Sequence, residues 1–175
     1  ALLKAKMRGE REHSHMLAAV DEAGRLVGLA RFDSLREPGV AYLWYLAVSP
    51  DARGKGFGGA IHDEVLRRCR EAGARAAVME VEIPEESSDA EFARSRIEFY
   101  RRHGATIVRD APGYRVPNLA EAGTIPMKLM WLSLTTPLQE LGGDRLRRCV
   151  EAIYHQGYGL PASHPLVREM LAGLA

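Results

Sequence analysis

The densest run of chemically useful residues is Ser49-Pro-Asp-Ala-Arg53-Gly-Lys-Gly-Phe-Gly-Gly59. Gly54, Gly56, Gly58 and Gly59 fall within six residues, and Arg53 and Lys55 stand among them. Glycine turns tightly and leaves consecutive backbone N–H groups open. Where such a loop leads from a strand into a helix, those donors and the positive end of the helix dipole make an anion site suited to a pyrophosphate. The two cations add charge. A plain Gly-rich turn would need neither four glycines nor two cations. The run Gly54-Lys-Gly56-Phe-Gly-Gly59 also satisfies G-x-G-x-x-G, and Glu80 and Glu82 follow Gly56 at 24 and 26 residues, near where a ribose-binding acid would stand. In that dinucleotide fingerprint, however, the strand runs almost directly into the first glycine. Here Ser49–Arg53 intervenes and Pro50-Asp51 opens a turn. No Lys-Ser or Lys-Thr follows the last glycine, so the loop is not a nucleotide-triphosphate P-loop.

Other candidate groups are sparser. Glu80, Glu82, Glu85, Glu86, Asp89 and Glu91 cluster within twelve residues. Such a cluster either draws a cationic amine or is a solvated loop. Arg101, Arg102 and His103 suit an acidic substrate or, more simply, the negative end of a helix. Cys69 and Cys149 lack any CxxC or Cys/His neighbourhood and read as two buried thiols of a reducing cytoplasm. His155 and His164 are not at ligand spacing with any Cys or Asp, so no metal is assigned.

The elements that must position these groups follow from apolar periodicity. Residues 2–14 are helix-like. Met16–Val20 and Leu26–Phe32 form a hairpin about Asp21-Glu-Ala-Gly24. Residues 41–48 make a strongly apolar third strand, on which adjacent Trp44 and Tyr45 predict burial of both faces. A helix over about 58–72 places Ile61, Val65, Leu66 and Cys69 on one face and stops at Gly73. Ala76–Ile83 is a fourth strand, 90–103 a second helix, and Ala105–Arg109 and Met127–Leu134 two further strands. Leu146, Cys149, Val150, Ile153 and Tyr154 repeat at helical spacing, and a short helix covers 164–174. The order predicts an α/β chain: a mixed, mostly antiparallel sheet, a parallel strand–helix–strand core over 41–83, and helices on both faces.

Composition closes off other classes. The chain has 175 residues, which suits one domain. Lys and Arg number 24 against 23 Asp and Glu, a net charge of +1 that argues against nonspecific nucleic-acid binding. The longest strong apolar run, Ala41–Val48, is far too short for a membrane span, and the charged start ALLKAKMRGE does not read as a signal peptide.

Three motifs carry a resemblance. Arg53-Gly-Lys-Gly56-Phe-Gly58 resembles the R/Q-x-x-G-x-G/A signature of the GNAT superfamily, the GCN5-related N-acetyltransferases, and Tyr45-Leu-Ala-Val-Ser-Pro-Asp-Ala-Arg53 resembles its entry strand. Glu98-Phe-Tyr100-Arg-Arg-His-Gly104-Ala resembles its second motif, and Met79-Glu80-Val81 the strand between them. The likeness covers about 16–134. It implies one GNAT-like domain over 1–175, with a C-terminal helical extension at 138–175 and the family's N-terminal strand and helix absent or upstream. It further implies that acetyl-CoA lies where strands 41–48 and 76–83 splay apart. The backbone of Arg53, Gly54, Lys55, Gly56, Phe57, Gly58 and Gly59 would hold the pyrophosphate. Leu46, Ala47 and Val48 would pair with the pantetheine arm, and one of their amides would polarise the thioester carbonyl. An amine attacks directly. Tyr100 aligns with the usual general acid, and Glu80 with a carboxylate that serves as base in some relatives. Glu82, two residues on, points to the same side of the strand. Some relatives carry a base on the preceding strand, where this chain has Tyr42.

The function so implied is an acetyl-CoA-dependent N-acetyltransferase, with no metal, acting in the cytoplasm on a primary amine of a small molecule or peptide. The alternative from another class is a non-catalytic acyl-CoA-binding sensor. The apolar stripe from Leu146 to Tyr154 must be buried, either on the chain's own sheet, which is the expectation, or in a homodimer.

Overall fold

A computed structural model describes residues 13–35, 38–137 and 140–174. The chain opens on β1 (Ser14–Val20), β2 (Leu26–Leu35) and β3 (Val40–Val48). A 3-10 turn (Pro50–Ala52) leads into α1 (Phe57–Glu71), followed by β4 (Ala76–Glu82) and α2 (Ala90–Arg102). Then come β5 (Thr106–Ile107), β6 (Arg115–Pro117), β7 (Thr124–Ser133), α3 (Gly143–Ala152), a π-helical turn (Ile153–Gly157) and α4 (Pro165–Ala172). The sheet order is β1-β2-β3-β4-β7-β5, with β6 paired to β7. Among the described strands only β3 and β4 are parallel; the other pairs are antiparallel. This is the mixed sheet that the element order predicts.

The sheet separates two apolar layers. On one face Ile61, Val65, Leu66 and Cys69 of α1 and Ile97 and Tyr100 of α2 pack on Ala41, Leu43, Ala77, Met79 and Val81. On the other, Leu146, Cys149, Val150, Ile153 and Tyr154 pack with Leu166, Val167 and Met170 on Val40, Tyr42, Val78, Leu129 and Trp131. The C-terminal stripe is therefore buried against the chain's own sheet. Cys69 and Cys149 are free and buried, and burial pushes both thiols up to about 12, so neither is a nucleophile at neutral pH.

Local chemistry sets the boundaries. Gly24 and Gly73 adopt left-handed conformations at the hairpin turn and past the end of α1. Asp89 caps α2 by accepting the Phe92 N–H at 3.0 Å. Several boundaries depart from expectation. Of the helix expected at 2–14, residues 2–12 lie outside the described ones, while Ser14 already belongs to β1. The strand expected at 105–109 is cut to two residues, and β6 was not anticipated, because a three-residue strand has no period to read. Tyr45 is exposed rather than buried, because β3 loses its β4 neighbour after Leu43.

Gly28 is fixed by crowding. A Cβ there would stand 2.6 Å from the Ala47 carbonyl oxygen and 2.6 Å from Ile61 Cδ1. Gly28→Ala must push β2 away from β3 or from α1. We expect a loss of about 2 kcal/mol, read as a melting temperature lower by about 4–8 °C. An unchanged melt would show that the contact relaxes at no cost.

Candidate active site

The parallel pairing of β3 with β4 runs only from Val40 opposite Ala76 to Leu43 opposite Met79. Beyond it, Leu46, Ala47 and Val48 pair with Ala30, Leu29 and Gly28 of β2 alone, and the β2–β3 register shifts between Arg31 and Phe32. The shift bends β3 away from β4. The two strands therefore open a wedge, one of whose walls is the free edge of residues 44–48. In a regular sheet that edge would be covered, and here it is open to an extended ligand. Burial records the same change: β3 is buried from Val40 to Leu43 and then alternates between half-buried and exposed.

At the far end of β3 lies the glycine loop. Gly54 and Gly56 have φ values of 74° and 81°, with open space where a Cβ would sit. Gly56 is the N-cap of α1 and supplies no side chain to its first N–H groups. The donors of Phe57, Gly58 and Gly59 thus stand at a positive helix end, the geometry of an anion site. Lys55 folds back, its ammonium giving a hydrogen bond to the Asp51 carbonyl at 2.8 Å. Arg53 lies with its guanidinium 5.5 Å from the centre of the Phe92 ring. Both cations remain exposed beside the loop.

Glu80 is the first β4 residue beyond the last pair with β3, so its carboxylate stands at the vertex of the wedge. Three phenols converge on it. Tyr42 and Tyr158 both donate to Oε2 at 2.6 Å, and Tyr114 donates to Oε1 at 2.6 Å. Tyr42 comes from β3, Tyr114 from the loop before β6, and Tyr158 from just past the π-helical turn. Three O–H donors are thus aimed at its two oxygens. Burial raises its pKa, and the three hydrogen bonds pull it back. Burial first, and the Glu80 charge second, hold the phenols of Tyr42, Tyr114 and Tyr158 well above their ordinary range, so all three keep their protons. Trp44 closes this side, 4.9 Å between ring centres from Tyr42 and 5.1 Å from Tyr158. Its indole N–H donates to Asp33 Oδ2 at 2.6 Å, while Oδ1 of that buried carboxylate has no partner.

Tyr100 sits on α2, only 5% exposed, and its hydroxyl makes no hydrogen bond among the described residues. Burial lifts its pKa to about 12. Glu82 shares Glu80's strand face by alternation, but its Oε2 is taken by Arg96 Nη1 of α2 at 2.6 Å. The structure thus separates two acids that the sequence left equivalent: Glu80 lies at the vertex and Glu82 lies in an ion pair. The tyrosine cage is what sequence reasoning missed. Its only trace was Tyr42, standing where some relatives carry a base.

A seven-stranded mixed sheet split beside a glycine-lined helix start defines a class, and the comparisons agree with it. The Acetyltransferase (GNAT) family model matches residues 3–105. The chain belongs to the GNAT acetyltransferase family. Among solved structures it is similar to a GCN5-related N-acetyltransferase from Kribbella flavida, at 21% identity and a TM-score of 0.54 over 73% of this chain and 72% of that one. It is also similar to the ribosomal-protein-S18-alanine N-acetyltransferase of Escherichia coli, at 18% identity and a TM-score of 0.53 over 77% of each chain. Nourseothricin acetyltransferase matches at 22% identity and a TM-score of 0.55, over 71% and 67%. At these identities the likeness is one of fold. None of the curated proteins matches the chain in sequence. Among the described residues no helix is long and apolar enough to cross a membrane.

Proposed function

We propose that this chain is an acetyl-CoA-dependent N-acetyltransferase of the cytoplasm, acting on a primary amine of a small molecule or peptide by direct attack. The observation that carries the reading is the placement of Glu80 at the vertex of a wedge whose other end is an uncapped, glycine-lined helix start.

The cosubstrate supplies an activated acetyl thioester; the chain supplies everything else. The N–H groups from Arg53 to Gly59 hold the pyrophosphate. Main-chain groups of Leu46, Ala47 and Val48 pair with the pantetheine arm, and one of those amides polarises the thioester carbonyl. Glu80 accepts the proton that the ammonium must lose, directly or through the phenol of Tyr42 or Tyr158, which passes its own proton to Oε2 as it takes the new one. Tyr100 returns a proton to the departing thiolate. The carboxylates of Glu80 and Asp33, with the faces of Trp44, Tyr42 and Tyr158, suit a cation at the acceptor side.

Tyr100→Phe removes only the donated proton. We expect kcat lower by about 10- to 100-fold with little change in KM for acetyl-CoA. A wild-type rate across pH 6–9 would remove Tyr100 as the acid.

The full engagement of the Glu80 oxygens favours one competing reading, a module that binds acyl-CoA without turning it over. Thiol release from acetyl-CoA against a panel of amines separates the two. Amine-dependent release supports the enzyme, whereas calorimetric CoA binding with no release for any amine supports the sensor.

A further inference from the structure

Between α1 and α2, on the sheet face opposite the tyrosine cage, lies a second cluster that the acetyl-transfer reading does not use. His62, in the second turn of α1, is 0% exposed, and neither of its ring nitrogens has a hydrogen-bond partner. His103 caps the end of α2, with ring centres 4.6 Å from those of His62. Asp63 follows His62, its carboxylate 3.9 Å from His62 Nδ1 and its side chain 76% exposed. One nitrogen from each histidine and one Asp63 oxygen all lie within 4.8 Å of one another.

A buried imidazole without partners is rarely tolerated unless something supplies one. Phe99 and Tyr100 press on the His62 ring edge-on and at a tilt, and neither makes a hydrogen bond to it. His103 is already oriented: its Nδ1 lies 2.7 Å from the Phe99 carbonyl oxygen, which can only accept. Nδ1 therefore donates to that carbonyl, which leaves Nε2 as the nitrogen that can meet an ion. A metal-ligating histidine is commonly held in this way, its far nitrogen donating to a backbone carbonyl that fixes the ring. Gly59 keeps Nε2 uncovered, since a Cβ there would come within 3.5 Å of it.

We propose that His62, His103 and Asp63 form a binding site for one divalent transition-metal ion of the zinc, cobalt or nickel type. Two imidazoles and one carboxylate are a donor set of borderline softness and do not suit calcium or magnesium. Ligand atoms on a tetrahedral ion stand roughly 3.3 Å apart, as bonds of 2.0–2.2 Å require. Rotation of the exposed Asp63 and the half-buried His103 closes the remaining distance. The ion would join α1, which presents the anion loop, to α2, which carries Tyr100. It would thus fix the two helices that frame one side of the wedge.

The test uses the full chain without an affinity tag, stripped with chelator. Titration with Co²⁺ read by visible absorption, and with Zn²⁺ by calorimetry, gives stoichiometry and ligand type. One ion per chain is expected, with ligand-field bands of low coordination number, and a melting temperature that rises with Zn²⁺ concentration. His62→Leu and His103→Leu should each abolish the bands and the shift, and Asp63→Asn should weaken affinity by about tenfold or more. A double His155→Ala, His164→Ala control should leave both intact. His103 is half-buried at a helix end, so its variant reports even if His62→Leu disturbs the core. Absence of Co²⁺ bands in the wild type, bands that survive His103→Leu, or bands lost in the control would each overturn the assignment.

Discussion

Glu80→Gln is expected to lower kcat by about 100-fold or more while the melting temperature stays level or rises. The chemical half follows from the vertex position. An amide cannot take the ammonium's proton, and removal of a general base commonly costs 10²–10⁴-fold. The stability half follows from burial. Burial raises the Glu80 pKa in the folded protein, so the fold favours the protonated form. Its contribution to stability is full below the ordinary carboxylate pKa and is lost as pH rises through the raised one. At neutral pH the ionised group is therefore a cost that glutamine removes. The stability difference between the variant and the wild type should widen from acid to neutral pH. Activity runs the other way: the wild-type rate falls as pH drops through the raised pKa, and that acid limb lies above where an ordinary glutamate would put it. A kcat for Glu80→Gln within about threefold of wild type across pH 6–9 would take the base role away from this residue. A marked loss of melting temperature would mean that the three phenols stabilise the charge more than burial penalises it.

Deletion of residues 142–175 is expected to leave no soluble folded protein. The segment buries Leu146, Cys149, Val150, Ile153, Tyr154, Leu166, Val167 and Met170 on the sheet. Each large apolar side chain is worth about 1.5 kcal/mol or more, so the sum is on the order of the whole stability of a domain, 5–15 kcal/mol. The truncation would also bare Tyr42, Val78 and Trp131, and would take Tyr158 from Glu80. Size-exclusion chromatography at several protein concentrations should show aggregates at all of them. A well-behaved monomer that keeps CoA affinity would mean that the stripe serves a subunit interface instead.

The two halves of the site differ in how far sequence alone reaches them. The elements of the strand–loop–helix unit from Val40 to Glu71 are legible, the burial of Tyr45 apart, because their determinants are local. Apolar spacing marks β3 and α1, and the left-handed Gly54 and Gly56 lie where the glycine run requires them. Tyr100 and Glu80 are picked out as candidates by the motifs that flank them. The choice between Glu80 and Glu82 is not. Alternation puts both on one strand face, and only the end of the β3–β4 pairing and the approach of Arg96 from α2 tell them apart. The cage is further out of reach. Tyr42, Tyr114 and Tyr158 come from three elements spread over more than half the chain, and Tyr158 is aimed by a π-helical turn that widens the helix just before it. His62 and His103 present the same case, each inconspicuous on its own amphipathic helix until α1 and α2 pack side by side. Sequence determines which segments turn, coil and extend, because those preferences act over a few residues. Which side chains share a site depends on register, strand divergence and helix docking, and these are set by contacts between residues far apart in the chain.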